Sequence, residues 1–317
     1  MYTIGVDVGG TNIRAGIFDG TTLLGYAHTP TRSGSGTSAV LEGVFSCIEN
    51  ALMFTGTDIS ECDGIGVGCP GLCDRENGVV LSAHNLGWER FELSRPISER
   101  YGLPCRIAND ADCAALAEYA AGAGRGAHSL LMITLGTGVG SGYIVGGRIT
   151  DGWHSLGGEL GHMCICMDGE MCSCGERGCL EAYASASALV RQARRAGAEN
   201  PDSALTCAEV RDAETVFRLA VDGDAAARDV VERYCRYVAV GVTGAVNLLY
   251  PETVVLGGGV ARSGEALAAP VREYVRRHRF AAATGVLPKI TASALDGSAG
   301  MLGAAALMHE PDGDRKL

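Results

Sequence analysis

Between His162 and Glu181 the chain reads HMCICMDGEMCSCGERGCLE. This sets Cys164, Cys166, Cys172, Cys174 and Cys179 within sixteen residues, a histidine ahead of them and a carboxylate behind. Thiolates and an imidazole are the donors of a closed, tetrahedral zinc site. The chain opens MYTIGVDVGG, which reads as a strand from its second residue and not as a secretory signal, so a cytoplasmic location is expected. Thiols stay reduced there, and thirteen cysteines then imply buried thiols plus one metal site rather than a disulfide framework. Spacing alone leaves open which of the clustered donors coordinate.

A second chemistry is written in glycine turns. DVGGTN, LGTGVGSG and LGGGVA each follow an apolar run. Glycine at such a turn lets the backbone approach a ligand, because no Cβ intervenes and φ > 0 is allowed. One such turn is more often a plain hairpin. Three together, two of them with a hydroxyl at Thr11 and Thr137 able to donate to a phosphoryl oxygen, point to a phosphate-bearing ligand. None fits the G-x-x-x-x-G-K-S/T loop, and none has the spacing of a dinucleotide fingerprint. What remains is a nucleotide held between two duplicated halves, the architecture of the actin-like ATPases. Asp7, ending the first strand, can stand beside phosphates only across a cation, and Mg²⁺ is the cation expected.

IANDADCAALAEYA places Asn109 and Asp110 where a strand becomes a helix. Both residue types are preferred helix caps, and one of the pair is expected to serve as one. Only one is needed. The junction lies at the carboxyl end of a strand, where open α/β sheets place ligands. Phosphoryl transfer to an alcohol needs a carboxylate there to take the hydroxyl proton, and Asp110 fits that role.

The elements that must position these residues can be read from periodicity. YTIGVDV, NIRAGIFD and TTLLGYAHT read as a three-stranded meander, followed by a helix over 37–54, a buried strand in GIGVG, a proline–glycine loop and a short helix over 93–101. CRIAND reads as a strand running into a helix over 111–121. From residue 129 the pattern of strand, glycine turn and strand restarts, which suggests an internal duplication. Mostly helical sequence over 185–249 precedes the strand TVVLG, a helix over 265–278, the strand KITAS and a closing helix in SAGMLGAAALMHE. At 317 residues two domains are expected, residues 1–117 with the C-terminal helix 296–317, and residues 118–295 carrying the cysteine segment. A net charge of −11 without a basic run argues against nucleic acid, and no apolar run of about 18 residues exists to span a membrane.

Taken in order, DVGGTN, NDADCAALAE, LGTGVGSG, GGELGH, CSCGERGCLE and LGGGVA make the chain resemble the ROK family of sugar kinases and repressors, most nearly its bacterial glucokinase branch. The resemblance runs from about Tyr2 to Leu307. It implies a duplicated α/β actin-like ATPase fold, ribonuclease H-like, in two domains around a central cleft, using ATP and Mg²⁺ and carrying a structural Zn²⁺. By position it assigns Asp7, Gly9, Gly10, Thr11 and Asn12 to the first phosphate segment, Thr137, Gly138 and Gly140 to the second, and Gly257, Gly258 and Gly259 to the adenosine side. Asp110 matches the catalytic base. Asn85, Asn109, Asp110, Glu159, His162 and Glu181 match sugar-binding positions, and His162, Cys172, Cys174 and Cys179 match the zinc ligands.

Cys164 and Cys166 stand where the family has apolar residues, Ser155 where a glycine is common, and Cys69 in GCPGL has no assigned role. The implied reaction is ATP-dependent phosphorylation of a hexose, glucose to glucose 6-phosphate first, with N-acetylmannosamine, allose, fructose or mannose as alternative acceptors. A sugar-responsive regulator without its DNA-binding domain is the remote alternative, since only six residues precede Asp7. A chaperone-like or filament ATPase would leave NDAD and GGELGH unexplained. A homodimer or homotetramer is expected.

Overall fold

The computed structural model describes residues 1–207, 210–295 and 297–311, with Asn85 and Cys207 described by their backbone alone. The chain divides into two compact units. One comprises Met1–Ser129, Gly142–Gly158 and Leu295–Leu317, the other Leu130–Ser141 and Glu159–Ala294.

The chain begins with the expected meander of β1 (Tyr2–Val8), β2 (Asn12–Asp19) and β3 (Thr22–Pro30). Next come α1 (Thr37–Thr55) and β4 (Cys62–Cys69). β5 (Leu72–Asp74), β6 (Val79–Ala83) and β7 (Trp88–Glu92) form a separate three-stranded sheet, to which the periodicity assigned no strand. Then follow α2 (Ser94–Tyr101), β8 (Cys105–Asn109) and α3 (Asp110–Ala121). The main sheet of this unit orders β3-β2-β1-β4-β8, antiparallel through the meander and parallel from β1 to β4 to β8. Apolar residues at helical spacing explain how α1 docks: Val40, Val44, Cys47, Ile48 and Ala51 are fully buried in the core that holds Ile4, Val6 and Ile17.

The remaining strands are β9 (Ser129–Leu135), β10 (Val139–Val145), β11 (Arg148–Ile149), β12 (Thr253–Gly257) and β13 (Lys289–Ala292), in the order β11-β10-β9-β12-β13. β9, β12 and β13 run parallel, while β10 and β11 are antiparallel. In each sheet the order is third, second, first, fourth, fifth, so the restart at residue 129 is a restart of topology. Between β11 and β12 lie α4 (Glu181–Ala184), α5 (Ala186–Glu199), α6 (Ala204–Cys207), α7 (Ala213–Val221) and α8 (Ala225–Leu249). α9 (Glu265–His278) precedes β13. No helix among the described residues is long and apolar enough to cross a membrane.

The last helix, α10 (Ala299–Ala306), packs against β1, β4 and α3. A Cβ on Gly5 would stand 2.0 Å from the Met301 carbonyl oxygen, and one on Gly303 would stand 1.7 Å from that of Cys113. Glycine is what lets these backbones meet.

Candidate active site

In the first unit the candidate residues gather at the carboxyl ends of parallel strands. Asp7 lies opposite Gly68 on β4, and Asn109 lies opposite the next residue, Cys69. Two strand spacings, about 10 Å, therefore separate Asp7 from the start of α3. Asp7 also pairs with Arg14 across the hairpin, and a Cβ on Gly300 would come within 2.8 Å of its carboxyl carbon. Burial pushes this carboxyl above its ordinary range, and Arg14 pulls the other way. The Gly9 amide donates to the Asn12 carbonyl at 2.9 Å, closing the turn. Thr31 Oγ1 donates to the Gly9 carbonyl at 2.6 Å. Gly10, Thr11 and Asn12 remain exposed at its tip.

The junction of β8 and α3 divides its two polar residues. Asn109 is the cap: its Oδ1 accepts from the Ala111 amide at 2.8 Å, and its Nδ2 donates to the Gly71 carbonyl at 2.7 Å. Asp110 is the first helical residue and is exposed. Asn85 belongs to the short turn His84–Leu86, and its side chain lies outside the described residues.

In the second unit the turn after β9 is held by its neighbours. Glu181 Oε2 accepts from the Val139 amide at 3.0 Å, and Thr134 Oγ1 accepts from the Gly140 amide at 3.2 Å. Among the described residues the amides of Thr137 and Gly138 have no partner, and Thr137 is exposed. Two adjacent unpartnered N–H groups are what an anionic oxygen needs. The turn after β12 lies beside this one, since a Cβ on Gly258, at φ 79°, would be 2.6 Å from the Leu135 carbonyl oxygen. Gly259 then opens the short helical turn Gly259–Ser263.

The cysteine segment resolves into one donor set. Ligand atoms of His162, Cys172, Cys174 and Cys179 all lie within 4.8 Å of one another. Cys172 Sγ is 3.7 Å from His162 Nδ1, and Cys174 Sγ is 3.7 Å from Cys179 Sγ. A zinc–sulfur bond of about 2.3 Å requires a tetrahedral edge of about 3.8 Å, so donor type and spacing both fit zinc. Cys164 and Cys166 are exposed and stand outside the set, although Cys164 bridges to Cys179 through its backbone. Gly175 and Gly178, at φ 94° and 79°, provide the left-handed turns that bring the thiols round.

Sequence reading missed what anchors Glu181. Its Oε1 accepts from Ser173 Oγ at 2.6 Å and lies 3.6 Å from Cys172 Sγ, while Oε2 holds Val139. One carboxylate thus ties the cysteine segment to the second glycine turn. Ser173 sits between two cysteines, and nothing in its local pattern signals that contact.

A match to the ROK family spans residues 3–311 of the chain. The chain belongs to the ROK family. A glucokinase from Thermotoga maritima is 36% identical over 318 residues, covering 98% of each chain. The solved structure of a ROK family glucokinase from Streptomyces griseus, in complex with glucose and AMPPNP, matches with a TM-score of 0.81. It is 32% identical over 97% of this chain and 99% of its own. A putative xylose repressor from a Caldicellulosiruptor species is 31% identical over 76% of this chain but only 61% of its own length. This ROK protein has the duplicated α/β fold of the actin-like ATPases, as its motifs implied.

Proposed function

We propose that this ROK protein transfers a phosphoryl group from ATP to the primary hydroxyl of a hexose, with glucose as the preferred acceptor. It is an ATP-dependent sugar kinase. The observation that carries the chemistry is the division of labour at the start of α3, where Asn109 makes the cap and Asp110 presents an exposed carboxylate. Asp110 takes the hydroxyl proton as the oxygen attacks phosphorus. The protein's other work is positioning and charge stabilisation.

We assign Gly9, Gly10, Thr11 and Asn12, with Thr137, Gly138 and Gly140, to phosphate oxygens, and Gly257, Gly258 and Gly259 to the adenosine side. Asp7 would hold Mg²⁺, which neutralises phosphate charge. Asn85, Asn109, Glu159, His162 and Glu181 are assigned to sugar hydroxyls. A hexose lacking or inverting a hydroxyl would leave one of these polar groups unpaired, and that supplies selectivity. His162, Cys172, Cys174 and Cys179 would hold a structural zinc. With Nδ1 turned to the thiols, the other nitrogen of His162 keeps a fixed tautomer and direction.

The test is ADP release over glucose, mannose, fructose, allose and N-acetylmannosamine, with wild type and Asp110→Asn side by side. Wild type should turn over ATP only when one of these sugars is present. Asp110→Asn should lose about 10²–10⁴-fold in kcat with the sugar KM little changed. Turnover within a few-fold of wild type would remove Asp110 from the chemistry. No sugar-stimulated turnover across the panel would refute the kinase reading.

A further inference from the structure

Arg75 follows β5 in the first unit. Its Nη1 donates to Asp151 Oδ2 at 3.3 Å, and its Nη2 is paired with Glu310. It also lies in the field of Asp112, two residues along α3 from Asp110. The three paired side chains are only 18%, 15% and 9% exposed. The partners come from 76 and 235 positions away in sequence. The other oxygen of Glu310 accepts from the Ile149 amide at 2.9 Å, on β11 just ahead of Asp151.

From Asp151 the chain runs through residues 152–158 directly into Glu159. Gly152, His154, Ser155 and Gly158 all have positive φ, at 73°, 55°, 57° and 85°. His154 and Ser155 are not glycine, and such conformations persist only where the surroundings hold them. The Gly157 amide closes the loop by donating to the Asp151 carbonyl at 2.7 Å. Asp151 is therefore the loop's anchor, its main chain gripping the far end while its side chain is gripped by Arg75. Burying a guanidinium with two carboxylates costs solvation that apolar packing would not, so stability alone does not call for this cluster. What the ions add is direction, because a planar guanidinium donates to its partners at fixed angles.

We propose that Arg75, Asp151 and Glu310 are positioning residues for sugar binding: without touching substrate, they fix the loop that places Glu159. This rests on the kinase reading above and deepens it. The test uses the full chain with Asp151→Asn and Glu310→Gln, near-isosteric changes that weaken the ion pairs. Hydrogen exchange of the 152–158 amides, read without sugar, should speed up in both variants. The KM for the hexose that wild type phosphorylates should rise about tenfold or more, within the reach of a 1 Å misplacement. The KM for ATP should stay within about twofold, and Glu310→Asp should recover part of the loss.

Unchanged loop exchange would overturn the proposal whatever the activity. So would a lowered melting temperature with an unchanged sugar KM, which is the mark of a purely structural cluster. Absence of sugar-stimulated turnover in wild type is a different failure, that of the kinase reading itself.

Discussion

At Asp7 a carboxylate is held half-buried at the end of β1, with Arg14 across the hairpin and the start of α10 behind it. Burial raises its pKa, and Arg14 offsets only part of that. The folded chain therefore binds this proton more tightly than the unfolded chain does. Stability from such a group is full below the unfolded pKa and is lost as pH rises through the folded one. At neutral pH the ionised Asp7 is a cost to the fold that a bound cation would relieve. Asp7→Asn should accordingly melt at a higher temperature than wild type at pH 7, with the gain shrinking as pH falls towards about 4, while sugar-dependent ATP turnover drops. Thermal scans across that range check it, and a variant less stable at pH 7 would mean that Arg14 fully satisfies the carboxylate. Single residues were legible in type but not always in task. NDAD offered two caps, and only the bond from Ala111 to Asn109 shows which is used.

Among the elements, the cysteine segment shows how far local pattern reaches. Its density led to the expectation of a metal site, yet Cys164 and Cys166 compete on spacing alone. They are set aside by the fold of the segment, where Gly178 donates to the Glu170 carbonyl at 2.9 Å and Leu180 to that of Met163 at 2.9 Å. β5, β6 and β7 went unread for a related reason. Strands of three to five residues, with a bulge between Leu72 and Cys73, are too short to establish a period of two. If His162, Cys172, Cys174 and Cys179 are the zinc ligands, the purified chain should carry about one zinc, and Cys174→Ser should lose it. Through Glu181 and His162 that loss should raise the sugar KM and lower the melting temperature before ATP binding suffers. Elemental analysis with Cys166→Ser as control decides between the thiols, because metal lost from that control would place Cys166 in the set.

On the scale of the whole chain, the duplication was readable because each copy begins with the same strand, glycine turn and strand. What covers each sheet was harder to read. GIGVG was legible as a buried strand, but its glycines fall at alternate positions, 64, 66 and 68, and so on one face of β4. Nothing local says what lies opposite a bare face. The structure supplies the answer, from α10 and the turn after it for two of the glycines and from α3 for the third: a Cβ on Gly64 would be 2.4 Å from Met308 Cε, one on Gly66 1.7 Å from the Ala304 carbonyl oxygen, and one on Gly68 2.9 Å from Cys113 Sγ. The three glycines do not have equal consequences, since the methionine end and the thiol can swing aside whereas the carbonyl belongs to the backbone of α10. Gly66→Ala should therefore push α10 off the sheet and destabilise the first unit by about 1–3 kcal/mol or more, the usual range for overpacking a rigid site. Gly34→Ala, at a position with nothing within 4 Å of the new methyl and no positive φ, should be nearly neutral. Urea denaturation of the two variants beside wild type makes the comparison. Equal midpoints for Gly66→Ala and Gly34→Ala would mean that α10 can retreat from β4 at no cost, and that the close backbone contact does not hold this unit together.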